Sequence, residues 1–114
     1  MMRHLLKKAD IIWVDLGELE NVVGHEQAKT RPCVVIKEFN GAQLALVLPL
    51  TTTERSHYTI VKLDKSETGM DQDSYALCQQ LRTISCERIK SKSGTISVRG
   101  FNRLKGVLID ILEL

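Results

Sequence analysis

The sequence predicts a mainly β, α+β fold: a curled sheet of five to seven strands with one helix at the C-terminal end. Three observations carry this. Runs rich in β-branched and aromatic residues recur between residues 10 and 89, separated by polar or glycine-containing stretches. Asn40-Gly41 lies between two apolar runs, the strongest short hairpin signal, because both residue types tolerate φ > 0. After residue 97 the apolar period changes to three and four, the repeat of a helix with one buried face.

The elements follow in order. "DIIWVDL" (10–16) is a strand by composition. Residues 17–31 are polar, with Gly17 and Gly24, and read as a long loop of the kind that is usually functional in a small domain. "CVVIKEF" (33–39) and "QLALVLP" (43–49) form the two arms of the hairpin. "YTIVKL" (58–63) alternates and is a further strand. "SYALCQQLRTI" (74–84) is one strand or two short ones, and "ERI" (87–89) adds a little more. Val98, Phe101, Leu104, Leu108, Ile111 and Leu112 then mark one stripe of the terminal helix, with Ser97 as its N-cap. Gly100 and Gly106 each weaken that helix by about 1 kcal/mol relative to Ala. The apolar stripe is expected to pack on the sheet.

A chain of 114 residues points to a single domain, 1–114, with one core. No apolar run approaches the ~18 residues of a membrane span. Asp10 and Asp15 interrupt the early apolar stretch, so no signal peptide is read and a cytoplasmic location is expected. Cys33, Cys78 and Cys86 are odd in number and lack a C-x-x-C pair, which argues against a disulfide framework or a zinc site. The net charge of +2 hides an asymmetry: residues 82–105 hold seven Lys or Arg against the single acid Glu87. That basic third either faces phosphates or is a solvated face with uneven charge.

The hairpin brings candidate chemistry together. With a two-residue loop at Asn40-Gly41, Phe39 faces Ala42, and Arg31 and Thr51 point to opposite faces. With a three-residue loop, Phe39 faces Gln43, and Arg31 lies opposite Thr51 on one face. The apolar pattern does not choose between them. In either register Pro32 and Pro49 stiffen the strand ends beside Arg31 and Thr51. A planar guanidinium and a hydroxyl at one rim suit a phosphodiester. The plainer reading is a surface Arg31 paired with Glu26 or Glu54 beside a strand-ending Thr cluster. His25 and His57 titrate in the right range for acid–base work but sit in loops, and His4 lies near the terminus. "GMDQDS" (69–74) lacks the closing Glu of a calcium loop and reads as a turn. No metal cage, P-loop or H-E-x-x-H is present, and neither metal nor cofactor is expected.

Taken in order, "ADIIWVDL", "GHEQAKTRPCVVI", "LVLPLTT", "DSYALCQQLRT" and the terminal helix resemble the MazF/PemK family of toxin endoribonucleases. The G-x-E-Q-x-x-x-R-P signature and the Q-x-R-T of residues 80–83 carry most of the likeness. The resemblance implies an SH3-like small β-barrel, the CcdB/MazF/PemK-like toxin fold, as a homodimer. It implies metal-independent, sequence-specific cleavage of single-stranded RNA by 2′-OH attack, leaving 2′,3′-cyclic phosphate and 5′-OH ends. By motif, Arg31 and Thr51 take the catalytic positions, while Glu26, Gln27, Gln80 and Arg82 fall in the RNA-binding set. The long loop becomes a substrate gate, with Pro32 fixing the point where it joins the sheet. The implied partners are single-stranded RNA and a cognate antitoxin with a partly disordered, acidic segment. DNA is met only through the antitoxin, and no membrane is involved. Ala9 and Lys29 stand where the family often has Gly, the first loop lacks the usual Pro, and the helix lacks the usual acidic start. The alternative is a non-catalytic binding protein on the same fold, either a gyrase poison like the CcdB toxins or an inactive relative that binds antitoxin or RNA. The CcdB toxins lack the G-x-E-Q…R-P signature, and an inactive relative has no need of Arg31 and Thr51.

Overall fold

Asp10, a charged residue that is only 1% exposed, begins the first strand of the computed structural model, which describes residues 6–17 and 30–114. Its carboxylate accepts from the Lys7 backbone N–H at 2.9 Å and the Thr95 hydroxyl at 3.0 Å, and Lys92 Nζ lies 3.4 Å away. A buried carboxylate needs such partners, and these tie the first strand to the last. The strands are β1 (Asp10–Asp15), β2 (Thr30–Phe39), β3 (Leu44–Thr51), β4 (Ile60–Leu63), β5 (Ser74–Leu77), β6 (Arg82–Ser85) and β7 (Ile89–Thr95). Helix α1 (Lys65–Thr68) follows β4, and α2 (Val98–Leu112) follows β7. Single 3-10 turns occupy Cys78–Gln80 and Cys86–Arg88.

All pairings are antiparallel, in the order β4-β5-β3-β2-β1-β7. The far edge of β3 is shared: β6 pairs with its first half, and β5 takes Leu50 and Thr51. Alternation along the strands sends side chains to two cores. On one face Ile11, Val34, Leu48 and Leu50 pack with Phe101, Leu104 and Leu108 of α2. On the other, Ile12, Val14, Cys33, Val35, Ala45, Val47, Ile84 and Ile89 form a second cluster that contains no residue of α2. Each fully buried aliphatic side chain is worth roughly 1.5–3 kcal/mol relative to exposure.

Several expectations change. The hairpin loop is neither two nor three residues long: Phe39 pairs with Leu44, leaving 40–43 as the loop, and Ile36 is an extra residue bulged out of β2. β2 starts at Thr30, earlier than expected, because its first residues pair with β1 rather than β3. β4 starts at Ile60; Tyr58 and Thr59 belong to a turn instead. The 74–84 stretch is two short strands broken by a 3-10 turn. The last strand is not 87–89 but the seven residues of β7, an exposed edge with no apolar alternation to announce it. Helix α1 is a further element that the sequence pattern does not announce; Asp64 and Glu67 form a capping box and Gly69 ends it at φ 76°. Ser97 does cap α2, accepting from the Gly100 N–H at 2.9 Å. Val98 and Leu112 do not join its buried stripe; both are exposed.

Candidate functional site

The site begins where two strands change partners. Arg31 and Pro32, at the start of β2, pair with Val14 and Trp13 of β1. Pro32 has no N–H to give, and its fixed φ stiffens the backbone next to Arg31. On β3, the last pair with β2 is Cys33–Pro49, after which Leu50 and Thr51 pair with Ala76 and Tyr75 of β5. Continued by two residues, the Cys33–Pro49 register sets Arg31 across from Thr51 on one face. The bulge at Ile36 matters here. It shifts the strands by one residue, so a four-residue loop gives the same outcome at the open end as a three-residue loop without a bulge.

The face is that of the second cluster, since Cys33 and Val47 belong to it. Arg82 of β6 pairs with Val47 and projects to the same face. The Cys33 thiol reports on the surroundings. Burial pushes it up to about 12, while the charges of Arg31 and Arg82 pull in the opposite direction. Two guanidinium groups therefore lie within electrostatic reach of one thiol. Both arginines are half-buried. The ion pairs among the described residues are Lys62–Asp73, Lys92–Asp10 and Arg103–Glu67, so neither Arg31 nor Arg82 has a carboxylate partner there. Glu54 is not paired with Arg31; Glu26, the other acid named for it, lies outside the described residues. Partly desolvated cations favour the approach of an anion.

Thr51 is 9% exposed, and its Oγ1 accepts from the Thr53 N–H at 3.1 Å. That contact fixes the oxygen and leaves the O–H to donate. Gln80 closes the 3-10 turn just ahead of Arg82 and is exposed. His57 is tied up locally, with Nδ1 2.8 Å from the Thr59 hydroxyl, which in turn donates to Gln79 Oε1 at 3.0 Å. This link between the β3–β4 connection and the 3-10 turn had no signal in the sequence. Glu26, Gln27, His25, Lys29 and His4 lie outside the described residues, as does most of the expected gating loop.

The basic third does not form one patch. Arg82, Lys90 and Lys92 lie on β6 and β7, and Arg88 Nη1 donates to the Asp15 carbonyl at 3.1 Å. Arg99, Arg103 and Lys105 ride on α2, where Arg103 is committed to Glu67 at 2.7 Å. No three His, Cys, Asp or Glu side chains converge among the described residues. No described helix is long and apolar enough to cross a membrane.

Comparison with known proteins identifies the family and the fold. Residues 7–112 match the family model described as the PemK-like, MazF-like toxin of type II toxin–antitoxin systems. The chain is 32% identical over 93 residues to endoribonuclease EndoA of Bacillus subtilis, covering 77% of this chain and 78% of that one. It is 30% identical to endoribonuclease MazF of Staphylococcus saprophyticus, over 77% and 75% of the two chains. A MazE–MazF structure from Deinococcus radiodurans superposes with a TM-score of 0.78 at 19% identity, over 97% of this chain and 98% of that chain. A mycobacterial endoribonuclease in complex with its cognate antitoxin gives a TM-score of 0.77 at 17% identity, over 96% and 97%. At those identities the two structures speak to the fold alone.

Proposed function

This chain belongs to the PemK-like, MazF-like toxin family of type II toxin–antitoxin systems, and we propose that it cleaves single-stranded RNA on the Arg31–Thr51–Arg82 face without a metal ion. It is an endoribonuclease toxin, like its relatives EndoA and MazF. In the proposed step the ribose 2′-oxygen bonds to the adjacent phosphorus and the bond from phosphorus to the 5′-oxygen breaks. The 2′-OH loses its proton and the departing 5′-oxygen gains one, leaving a 2′,3′-cyclic phosphate and a 5′-OH. The phosphodiester carries one negative charge and the pentacoordinate state carries about one more. Arg31 and Arg82 stabilise that added charge, Arg31 by its two-pronged fork. The Thr51 O–H donates to a phosphate oxygen and so orients the group for attack. Gln80, with Glu26 and Gln27, contacts the flanking nucleotides.

The observation that carries this reading is the pair of half-buried guanidinium groups without carboxylate partners among the described residues, on the face that Thr51 also joins. The test is to incubate the purified protein with RNA in excess chelator and to identify the new ends. Cyclic phosphate and 5′-OH termini are expected at a short recurring sequence. Intact RNA in chelator, with cleavage restored by a divalent ion, would refute the metal-free step. The proposed partners follow from the family: a second copy of the chain, and an antitoxin whose acidic segment folds over Arg31 and Arg82 and competes with RNA. Membership of a type II toxin–antitoxin family supports that proposal. A cytoplasmic site of action fits a messenger RNA substrate.

A further inference from the structure

Tyr58 is the most exposed aromatic residue among those described, at 73%, and it packs on nothing in the core. Its ring sits 4.7 Å from that of His57, tilted by 34°. What sets this exposed pair apart is the firmness of its support. The turn is closed by the Ile60 N–H donating to the His57 carbonyl at 3.0 Å, which puts Tyr58 at its corner. The Cys78 N–H donates to the Thr59 carbonyl at 3.2 Å, and Thr59 Oγ1 to Gln79 Oε1 at 3.0 Å. The turn is thereby docked on the 3-10 segment that carries Gln80. Nδ1 of His57 is held by Thr59 at 2.8 Å, which fixes the ring beneath Tyr58.

The position relates to the site. Thr51 and Lys62 both pair with Tyr75 from opposite sides, and Ile60 lies two residues back along β4. Two strand spacings across and two residues along put Ile60, where the turn ends, roughly 12 Å from Thr51, with Tyr58 one turn further out. The connecting stretch 52–58, "TTERSHY", is hydroxylic, charged and aromatic, with no aliphatic residue. A docked amphipathic peptide wants an apolar groove; a single-stranded nucleic acid wants a rigid aromatic face, hydroxyls and a cation, here Arg55.

We infer that the His57–Tyr58 pair is a stacking platform for one nucleobase flanking the scissile phosphate, set in place by the Thr59–Gln79 link. The inference rests on the RNA-cleaving reading above and adds to it a base-binding position outside the family motif. Because the turn is pre-organised, stacking costs little ordering and contributes to substrate affinity rather than to the chemical step.

The test uses single-turnover cleavage of a short labelled RNA containing a cut site mapped on bulk transcript. Companion oligonucleotides lack one base at successive positions around the cut. Tyr58→Ala should raise the half-saturating protein concentration by roughly 5- to 100-fold, the range for loss of one stacked base, with the maximal rate little changed. Tyr58→Phe should behave as wild type. One abasic position should cost wild type the same factor and cost Tyr58→Ala nothing further. Equal sensitivity of both proteins at every abasic position, or unchanged saturation for Tyr58→Ala, would overturn the platform. That result would give the exposed ring to a protein partner. Failure of the wild-type protein to cut any RNA would instead remove the endonuclease reading itself, so the two failures are distinguishable.

Discussion

Replacing Arg31 with Ala tests the proposed chemistry most directly. The side chain is half-buried, on the same face as Arg82 and without a carboxylate partner among the described residues. In going from phosphodiester to pentacoordinate phosphorus the site gains about one negative charge. One charge at about 4 Å in a near-surface environment of effective dielectric ~20 is worth about 4 kcal/mol. At about 1.4 kcal/mol per decade that corresponds to about 10³ in rate, the lower end of the ~10³–10⁵ attributed to arginines that stabilise a transferring phosphoryl group. Ground-state affinity is spread over several phosphates and bases, so the half-saturating concentration should rise by less than about tenfold. Arg31→Lys should recover little, since a point charge lacks the bidentate fork. The assay is single-turnover cleavage of one labelled oligonucleotide in chelator, with circular dichroism to confirm folding. A near wild-type maximal rate for Arg31→Ala would refute the reasoning. So would full rescue by Lys, which would reduce Arg31 to a generic cation.

The other predictions concern single atoms. Thr51→Ala removes one donor to a charged oxygen, worth about 1.5–3 kcal/mol. Its cleavage rate should fall by about 10- to 100-fold, less than for Arg31→Ala, while Thr51→Ser stays near wild type. A methyl group added at Gly106 would meet nothing within 4 Å, so Gly106→Ala should raise stability by about 1 kcal/mol in urea melts. At Gly100 the same methyl meets Leu63 Cδ2 at 3.1 Å and Ser97 Oγ at 3.2 Å. Gly100→Ala should therefore lose stability despite its better helix propensity, and a gain would show that the helix start can shift. Ala9 holds φ 81°, a left-handed conformation that costs a residue with a Cβ about 1–2 kcal/mol. Ala9→Gly should stabilise the fold by about 0.5 kcal/mol after the loss of unfolded-state restriction is subtracted. Cys33, pushed up to about 12, should resist alkylation until the protein unfolds. The unfolded thiol ionises near its ordinary value of 9.0 while the native one stays protonated, so the unfolded state binds fewer protons above that pH. Stability should fall as pH rises from about 9 to about 12, and the Cys33→Ala variant should show a shallower fall.

Much of the fold was legible because its signals are local. The Asn-Gly turn, the β-branched runs and the Ser97 cap each act within a few residues, and each marks a real element. β7 was hidden because its outward residues, Lys90 to Ser93, face solvent and carry no alternation. What makes it a strand is pairing with β1 and the Lys92–Asp10 contact, both distant in sequence. Helix α1 is the opposite case: its capping box and Gly69 were readable, but four residues give too few repeats for periodicity to register. The hairpin register was unreadable because the bulge at Ile36 leaves no compositional mark in an apolar run. At the candidate site, Arg31 and Thr51 stood out through their motifs. The partners that tie His57 to Gln79 appear only once β4 and β5 are paired.

The two-faced sheet explains how such a site can be carried at little cost to the fold. Helix α2 and its core occupy one face, so the principal burial does not depend on Arg31, Thr51 or Arg82. Those three sit on the other face, whose cluster is built from short strand side chains and receives nothing from α2. The cations at the rim of that cluster are half-buried, and partial desolvation strengthens their pull on a phosphate. Supplying a carboxylate partner would stabilise the free protein and weaken its hold on the transition state, because the charge to be stabilised would have to displace one already present. Among the described residues Arg31 and Arg82 have no such partner, which suits the proposed phosphodiester-cleaving role, whereas on the α2 side Arg103 is paired with Glu67 at 2.7 Å.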